Sequence, residues 1–156
     1  MQRYARSMIA KTVHFVAILC VAIAMAAAWA HLLALPNKMM LVREDYLTVQ
    51  QIYRGWALLG IVVVGALILA AVLTWFQRDE DMPFYPSLLA TLCVGLSLVI
   101  FFWFTFPANQ ATQNWTVLPD QWEALRRQWE YSHATGAILY FIALASLVLS
   151  LMWGRR

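Results

Sequence analysis

One stretch of the sequence, Asn114 to Tyr140, combines charged, aromatic and apolar residues in a pattern that could do chemistry. On a helix that turns about 100° per residue, six of its positions fall on one stripe: Trp122, Arg126, Trp129, His133, Gly136 and Tyr140. An imidazole there can transfer a proton, a guanidinium can hold an anionic oxygen, and flat rings can hold an aromatic ligand. We therefore take His133 and Arg126 as candidate catalytic residues, and Trp122, Trp129 and Tyr140 as candidate substrate-binding residues.

A second histidine, His31, lies near the end of the first apolar run. In two antiparallel helices it would reach the depth of His133, so the two imidazoles could share one site. They could act as an acid–base pair on a substrate, or as ligands of haem b or of a single metal ion. Glu130, three residues before His133, would be the third metal ligand. The alternative for both histidines is a hydrogen bond within a bundle or a position at the headgroup layer. We expect an interfacial structural role for His14.

Two arginines in the same stretch lead to different expectations. Arg127 has the helical spacing to pair with Glu123 and Glu130, which places all three on a solvated flank. Arg126 shares the inward stripe, where a guanidinium can hold an anionic oxygen, stack on a ring or bind a loop carbonyl. Arg54, at the start of the second apolar run, has the same alternatives.

Three asparagines lie beside the ends of apolar runs: Asn37, Asn109 and Asn114. As neutral donors and acceptors they could orient a substrate carbonyl or hydroxyl, so we include them, with Arg54, as candidate substrate-binding residues. Capping and turn formation are the alternative roles of this residue type. Cys20 and Cys93 lie inside apolar runs, and we expect buried thiols there rather than a disulfide.

The elements that must position these residues follow from composition. Of the 156 residues, 63% are hydrophobic and 12% are charged, and the mean hydropathy is +0.66. A soluble domain of this length cannot bury so much apolar surface, whereas a bilayer accepts it. We therefore expect one integral membrane domain over residues 1–156. The formal net charge of +3 arises near the ends of apolar runs, as membrane anchoring requires, and does not indicate nucleic-acid binding.

Four apolar runs each reach the roughly 20 residues that a bilayer core requires: Ile9 to Leu35, Ile52 to Phe76, Phe84 to Phe106 and Tyr131 to Trp153. Backbone groups cannot hydrogen-bond to lipid, so each run must be a helix. Short connections favour an all-α, up-down-up-down four-helix bundle. The first run is too long for a cleavable signal peptide, so we expect it to stay as the first membrane helix.

The first and third connections are the longer ones and carry most of the unusual residues. Basic residues next to the first helix favour both termini in the cytoplasm, in a bacterial inner membrane, with these connections outside. We expect a turn after Pro36, Asn37 and Lys38, a helix that begins near Asp45 as N-cap, and a helix end at Pro107. Pro119 suits a first helical position. Helices 2 and 4 would then extend beyond the membrane and form a cap.

Several short pieces of sequence are similar to one family. NW, PDQW, ALRRQWE and SH between Asn114 and His133, together with HLLALPNK at the end of the first run, resemble the anthrone oxygenase-like family of small four-helix membrane proteins. That family includes bacterial members of unknown function and fungal anthrone oxygenases. The resemblance implies oxygenation of an activated polycyclic phenol or anthrone to a quinone, with no cofactor required. On the matching positions, His133 would take the substrate proton, Arg126 would stabilise the enolate, and aromatic side chains would hold the ring.

Three functional hypotheses follow. The first is a membrane oxidoreductase of the oxygenase type for an aromatic small molecule, with His31, Arg126, Trp129 and His133 lining the site. The second is a membrane protein that binds haem b or a metal ion through His31 and His133. The third is a non-catalytic accessory subunit of a membrane complex. The lipid bilayer is a partner in each case, and homo-oligomers stay open.

Overall fold

The computed structural model describes the backbone of residues 2–154 and the side chains of residues 8–154. This part of the chain is almost entirely helical and contains no strand. Its α-helices are α1 Gln2–Met40, α2 Arg43–Gln50, α3 Leu59–Gln77, α4 Asp81–Ile100, α5 Phe106–Ala111 and α6 Trp122–Trp153. Two 3-10 turns, Gln51–Tyr53 and Trp56–Leu58, separate α2 from α3, and a π-helical turn, Phe101–Thr105, joins α4 to α5.

Four helical stretches are long and apolar enough to cross a membrane: Met8–Met40, Trp56–Gln77, Asp81–Ala111 and Trp122–Trp153. The prediction of four long apolar helices is therefore confirmed. Large apolar side chains point outward along them, as Leu33 and Ile61 do at 70% and 73% exposure. Such a surface suits contact with lipid.

The four long helices pack side by side as a bundle. α1 and α4 each contact both α3 and α6. The core between them contains many small side chains, which let helix backbones approach closely: Ala17, Val21, Ala66, Leu73, Ala90, Cys93, Val94, Ala143 and Leu147. Cys93 is a buried free thiol in this core, and Cys20 is a partly buried free thiol that packs against the same core.

Two histidine contacts show that α1 and α6 are antiparallel. His14 Nε2 donates to the carbonyl oxygen of Leu147 (2.8 Å), late in α6. His31 lies against His133, early in α6, with ring centroids 4.4 Å apart. His14 thus has a structural role, as the sequence predicts, but its side chain is buried in the bundle. We call the end of the bundle that contains His31 and His133 the site end.

α1 extends further than its apolar sequence. It ends at Met40, beyond Leu35, with Pro36 inside it. A proline in a helix loses the hydrogen bond from its own nitrogen to the carbonyl four residues earlier, but the residues after it can still form helical hydrogen bonds. His31 therefore lies well before the end of α1, rather than one turn from it, and Lys38 belongs to the helix.

The connection between α1 and α3 differs from the prediction. α2 begins at Arg43 with Val42 as its N-cap, so the predicted N-cap at Asp45 is wrong, and Asp45 lies in the first turn. A carboxylate there still suits the positive end of the helix. α2 is also separate from α3, because Gly55 adopts a left-handed conformation (φ 89°) that redirects the chain.

The two prolines of the third connection also differ from expectation. Pro107 lies at the start of α5 and does not end the helix, since the helical stretch continues to Ala111. The preceding π-helical turn has wider hydrogen-bond spacing, and its Phe104 carbonyl accepts a hydrogen bond from Gln128 Nε2 (2.8 Å). Pro119 is not a first helical residue, because α6 begins at Trp122, whose N–H donates to the Pro119 carbonyl (3.0 Å).

Candidate acid–base site

A buried ion pair links α1 to α6 at the site end. Lys38 Nζ lies 2.6 Å from Glu130 Oε2, and the two side chains are 4% and 0% exposed. The Tyr46 hydroxyl, on α2, donates to the other carboxylate oxygen, Glu130 Oε1 (3.0 Å). Gln50 Nε2 donates in turn to the Tyr46 hydroxyl oxygen. Buried charges are tolerated when they are paired and hydrogen-bonded. Here Oε2 has the Lys38 ammonium as its ion-pair partner, and Oε1 accepts the hydrogen bond from Tyr46.

The sequence prediction missed this ion pair. Glu130 is expected on a solvated flank, and that expectation is wrong because its carboxylate is buried. Arg127 pairs with Glu123 (4.0 Å) on the exposed side of α6. Lys38 is not among the predicted site residues. The helical spacing does indicate that the charged residues lie near the histidines. Glu130 is three residues before His133 and Lys38 is seven residues after His31, so each shares a helix face with a histidine.

His31 and His133 face each other beside the ion pair. Their ring centroids are 4.4 Å apart and their planes are inclined by 42°. His133 Nδ1 lies 2.9 Å from the carbonyl oxygen of Trp129. A carbonyl only accepts, so Nδ1 carries the proton and Nε2 of the neutral ring keeps a lone pair. His133 is also only partly buried, and it has the free nitrogen that a general base requires.

Aromatic rings enclose the two imidazoles. His31 lies against Tyr53 and Trp129, with ring centroids 4.4 Å and 4.9 Å away, and Trp56 is 5.6 Å away. Trp129 also packs on His133, at a centroid distance of 4.0 Å. These rings fill the space around the histidines. A flat ligand would therefore have to replace one of the protein rings against His133.

Two tyrosines at the site stay protonated. Burial, with the Glu130 carboxylate adding to its effect, raises the pKa of Tyr53 to about 12. Burial also raises the pKa of Tyr46, and the charge of Glu130 and its hydrogen bond raise that pKa further. Both phenols are therefore hydrogen-bond donors at neutral pH, and neither is a base.

Arg126 is buried on the inward side of α6, as predicted, but its guanidinium binds the backbone. Nη1 donates to the carbonyl oxygen of Leu41 (2.8 Å), just beyond the end of α1. The guanidinium carbon lies 4.6 Å from the ring centre of Trp122 and 5.5 Å from that of Tyr46. The loop-carbonyl bond and ring stacking are thus the observed contacts of Arg126. It joins α6 to the connection between α1 and α2.

Asn109 positions one of the rings that contact His133. Its Oδ1 accepts hydrogen bonds from Trp129 Nε1 (2.8 Å) and Trp115 Nε1 (3.2 Å). Trp115 is buried, and it and the two residues before it have positive φ angles of 62°, 49° and 57°. Left-handed conformations of non-glycine residues cost about 1–3 kcal/mol each and are often found at functional sites. The loop at Trp115 is therefore held by contacts that include this shared acceptor.

The other candidate substrate-binding residues lie away from the histidines. Asn37, Arg54 and Asn114 are exposed, and Arg54 Nη2 donates to Gln51 Oε1 (2.7 Å). Tyr140 packs against the core of the bundle, deeper along α6 than His133. The structure does not bring these four residues to the histidine pair. Asn37 is adjacent to Lys38 on α1, and the helical rotation between neighbours turns it outward.

The observed geometry is a poor fit for a metal ion or haem. Among the side chains of residues 8–154, no three His, Cys, Asp or Glu groups are placed to hold a metal. Glu130 binds Lys38, whose ammonium would repel a cation beside His31. Metal–nitrogen bonds of about 2 Å on each side of a haem iron would separate two axial rings by more than the distance between these centroids. His31, His133 and Glu130 thus do not form the ligand set considered from the sequence.

Comparison with known proteins does not identify a relative of this chain. No protein-family model, curated protein sequence or solved structure matches the chain.

The site combines an unprotonated imidazole nitrogen, a second imidazole, a buried ion pair and flat aromatic walls. A base of this kind can remove a proton from a weakly acidic molecule. Hydrogen-bond donors in a site shielded from water can stabilise the oxygen anion that results. The aromatic side chains pack directly on both imidazoles, so a flat molecule would contact His133 only by replacing one of these rings.

Proposed function

We propose that the protein is an integral membrane oxidoreductase of the oxygenase type that acts on an aromatic, phenolic small molecule. The observation that carries the proposal is the hydrogen bond from His133 Nδ1 to the Trp129 carbonyl oxygen (2.9 Å). It fixes the neutral ring with a free Nε2 beside aromatic side chains. The sequence resemblance to anthrone oxygenase-like proteins supports the same reaction class.

The proposed reaction begins with proton transfer. His133 Nε2 takes one proton from the methylene carbon of an anthrone-like substrate, which leaves an enolate with much of its charge on oxygen. The enolate then gives electrons to molecular oxygen. One oxygen atom becomes the new carbonyl of the quinone, and the other leaves as water with the two methylene hydrogens. One molecule of dioxygen balances the reaction, so the substrate is the reductant and no cofactor is needed.

The roles of the other residues follow from their contacts. His31 packs against His133 and is the second polar group that a substrate would meet if it replaced one of the neighbouring aromatic rings. Arg126 binds the Leu41 carbonyl, so in this proposal it positions α6 and the α1–α2 connection and does not hold the enolate. Trp129 supplies both a flat wall and the carbonyl that orients His133.

We place the site on the outer side of a bacterial inner membrane. The basic residues near the first helix support both termini in the cytoplasm, and the antiparallel α1 and α6 are consistent with an up-down-up-down bundle. α2 and the beginning of α6 would form a cap beyond the bilayer. An apolar substrate would enter from the outer leaflet, where Trp56 is 37% exposed and Tyr53 is partly buried.

The test uses purified protein in liposomes with anthrone as the probe. Oxygen uptake and quinone absorbance are followed against protein-free liposomes, which report spontaneous oxidation. His133→Asn keeps a donor near the position of Nδ1 but has no second ring nitrogen. We expect it to lower turnover by about 100-fold or more, the usual contribution of a general base.

His14→Gln is the matched control, because it changes a buried histidine outside the site and keeps a donor near the position of Nε2. It should oxidise anthrone at the unmodified rate. Turnover by His133→Asn equal to that of the unmodified protein would refute the role of His133. No oxidation by the unmodified protein above the liposome background would remove the proposal for anthrone-type substrates.

A further inference from the structure

The ion pair at the site end sets the chemical state of its lysine. Glu130 Oε2 lies 2.6 Å from Lys38 Nζ, while Tyr46 donates to Oε1 at 3.0 Å. The carboxylate is surrounded by donors, and the nearest of them is the amine. An ionised carboxylate at this distance keeps the amine as an ammonium, because each charge would be costly to bury without the other.

The same ammonium contacts His31. Lys38 Nζ lies 3.4 Å from His31 Nδ1, and both side chains are buried. An ammonium has three donors and no acceptor, so Nδ1 must be the accepting nitrogen. A neutral imidazole has one N–H, and in His31 that proton therefore belongs on Nε2. A second proton on this ring would place a positive charge next to the ammonium, which Coulomb repulsion disfavours.

The two histidines are thus set in opposite tautomers by their partners. The Trp129 carbonyl holds the proton of His133 on Nδ1, which leaves Nε2 as an acceptor. We infer that Lys38, held in place by Glu130, is a positioning residue that fixes His31 as an Nε2–H donor beside His133, whose Nε2 is an acceptor. One ring then offers a hydrogen bond and the other offers a lone pair.

The donor on His31 and the acceptor on His133 together limit the class of substrate, an inference that rests on the proposed function. A molecule that uses both rings needs an acidic hydrogen for His133 and an acceptor oxygen for His31. The hydrogen bond from His31 would strengthen as that oxygen gains negative charge, which is how a donor favours the transition state. Enolisable aromatic ketones and their phenolic tautomers have both groups. Aromatic hydrocarbons without an oxygen do not.

The tautomers can be measured directly by NMR of protein with nitrogen-15 in its histidine rings, because protonated and unprotonated ring nitrogens have well-separated shifts. Spectra of His14→Gln and His133→Asn assign the three histidines. In the unmodified protein we expect Nε2–H at His31 and Nδ1–H at His133. A His31 signal with the proton on Nδ1 would overturn the inference without any variant at Lys38.

The double variant Lys38→Met/Glu130→Gln tests whether the ion pair causes the tautomer preference of His31. It removes both charges together, so no unpaired charge is left buried, and it keeps an acceptor for Tyr46. We expect His31 to lose its Nε2–H preference while His133 keeps Nδ1–H. Lys11→Met, at an exposed lysine of the same helix, should leave both tautomers unchanged. Retention of Nε2–H at His31 in the double variant would contradict the inference.

Measurements of activity test separately whether the hydrogen bond from His31 contributes to turnover. With anthrone, the double variant should lower kcat by about 10-fold to 100-fold, as expected when a residue that orients a functional group is lost. Unchanged kcat together with a changed His31 tautomer would refute the hydrogen-bonding role of His31 in turnover. If the unmodified protein does not oxidise anthrone, the proposed function fails, and the NMR result still decides whether Lys38 sets the tautomer.

Discussion

Lys38 Nζ lies 2.6 Å from Glu130 Oε2, so an ion pair that is almost completely buried joins the end of α1 to α6. Lys38 also contacts His31, and Glu130 accepts a hydrogen bond from Tyr46 of α2. Three helices therefore meet at one pair of charges. The ion pair both holds the site end together and determines which nitrogen of His31 carries a proton.

Removal of one member of this pair should destabilise the protein strongly. Glu130→Ala leaves the Lys38 ammonium buried without a partner, and we expect the free energy of unfolding to fall by about 3–5 kcal/mol. Unfolding by denaturant in detergent, followed by circular dichroism, measures the change. Glu123→Ala is the control, since its pair with Arg127 is exposed, and it should change stability by less than about 0.5 kcal/mol. Equal losses for the two variants would show that the buried pair has no special energetic role.

The double variant Lys38→Met/Glu130→Gln should be more stable than Glu130→Ala alone. Replacing a buried pair as a unit leaves no uncompensated charge, so much of the loss should be recovered. The comparison needs no substrate. Glutamine keeps the shape of the glutamate side chain, so a double variant as unstable as Glu130→Ala would contradict the view that the unpaired ammonium causes the loss.

The shared acceptor Asn109 should be essential for the aromatic wall. Asn109→Leu keeps the approximate shape of the side chain but leaves the indole N–H groups of Trp115 and Trp129 without their acceptor. Each unpaired buried donor costs about 1–3 kcal/mol, so stability should decrease and the tryptophan fluorescence should change. Asn37→Leu, at an exposed position, should leave both unchanged. Asn109→Leu with unchanged fluorescence and stability would show that the two hydrogen bonds do not hold the rings.

The raised pKa of Tyr53 predicts a loss of stability at high pH. Its phenol has a pKa of about 12 in the folded protein, above the ordinary value of about 10 in the unfolded chain. Protonation of Tyr53 therefore favours the folded state below about pH 10, and this contribution disappears as the pH rises towards about 12. Unfolding measured over this range should show a smaller pH dependence for Tyr53→Phe than for the unmodified protein. Identical pH profiles would contradict the assigned shift.

The sequence predicts the fold better than it predicts the site. Four membrane-length helices follow from the requirement that the backbone satisfy its own hydrogen bonds in lipid, which leaves little choice of structure. In antiparallel helices His31 and His133 lie at a similar depth, so the sequence also predicts that they are close together, as observed. The sequence does not predict the buried ion pair, because Lys38 follows Pro36, a residue type that usually marks a helix end. Glu130 is expected on the flank because charged residues at helical spacing are usually solvated.

The ends of two helices also differ from the sequence prediction. Pro107 and Asp45 have residue types that usually mark ends, but a π-helical turn carries the chain into Pro107 and the N-cap lies at Val42. Residue type alone does not determine either helix end. At the π-helical turn, α6 adds a contact from a distant part of the chain, the hydrogen bond from Gln128 to the Phe104 carbonyl.

The most direct test of the proposed chemistry is proton removal from the substrate in the absence of oxygen. Anthrone deuterated at its methylene carbon is incubated anaerobically with the protein in liposomes, and the loss of deuterium to water is followed by mass spectrometry. We expect the unmodified protein and His14→Gln to accelerate the exchange above the protein-free rate, and His133→Asn to show only that background rate. Exchange by His133→Asn as fast as that of the unmodified protein, or no acceleration by the unmodified protein, would contradict the assignment of His133 Nε2 as the base.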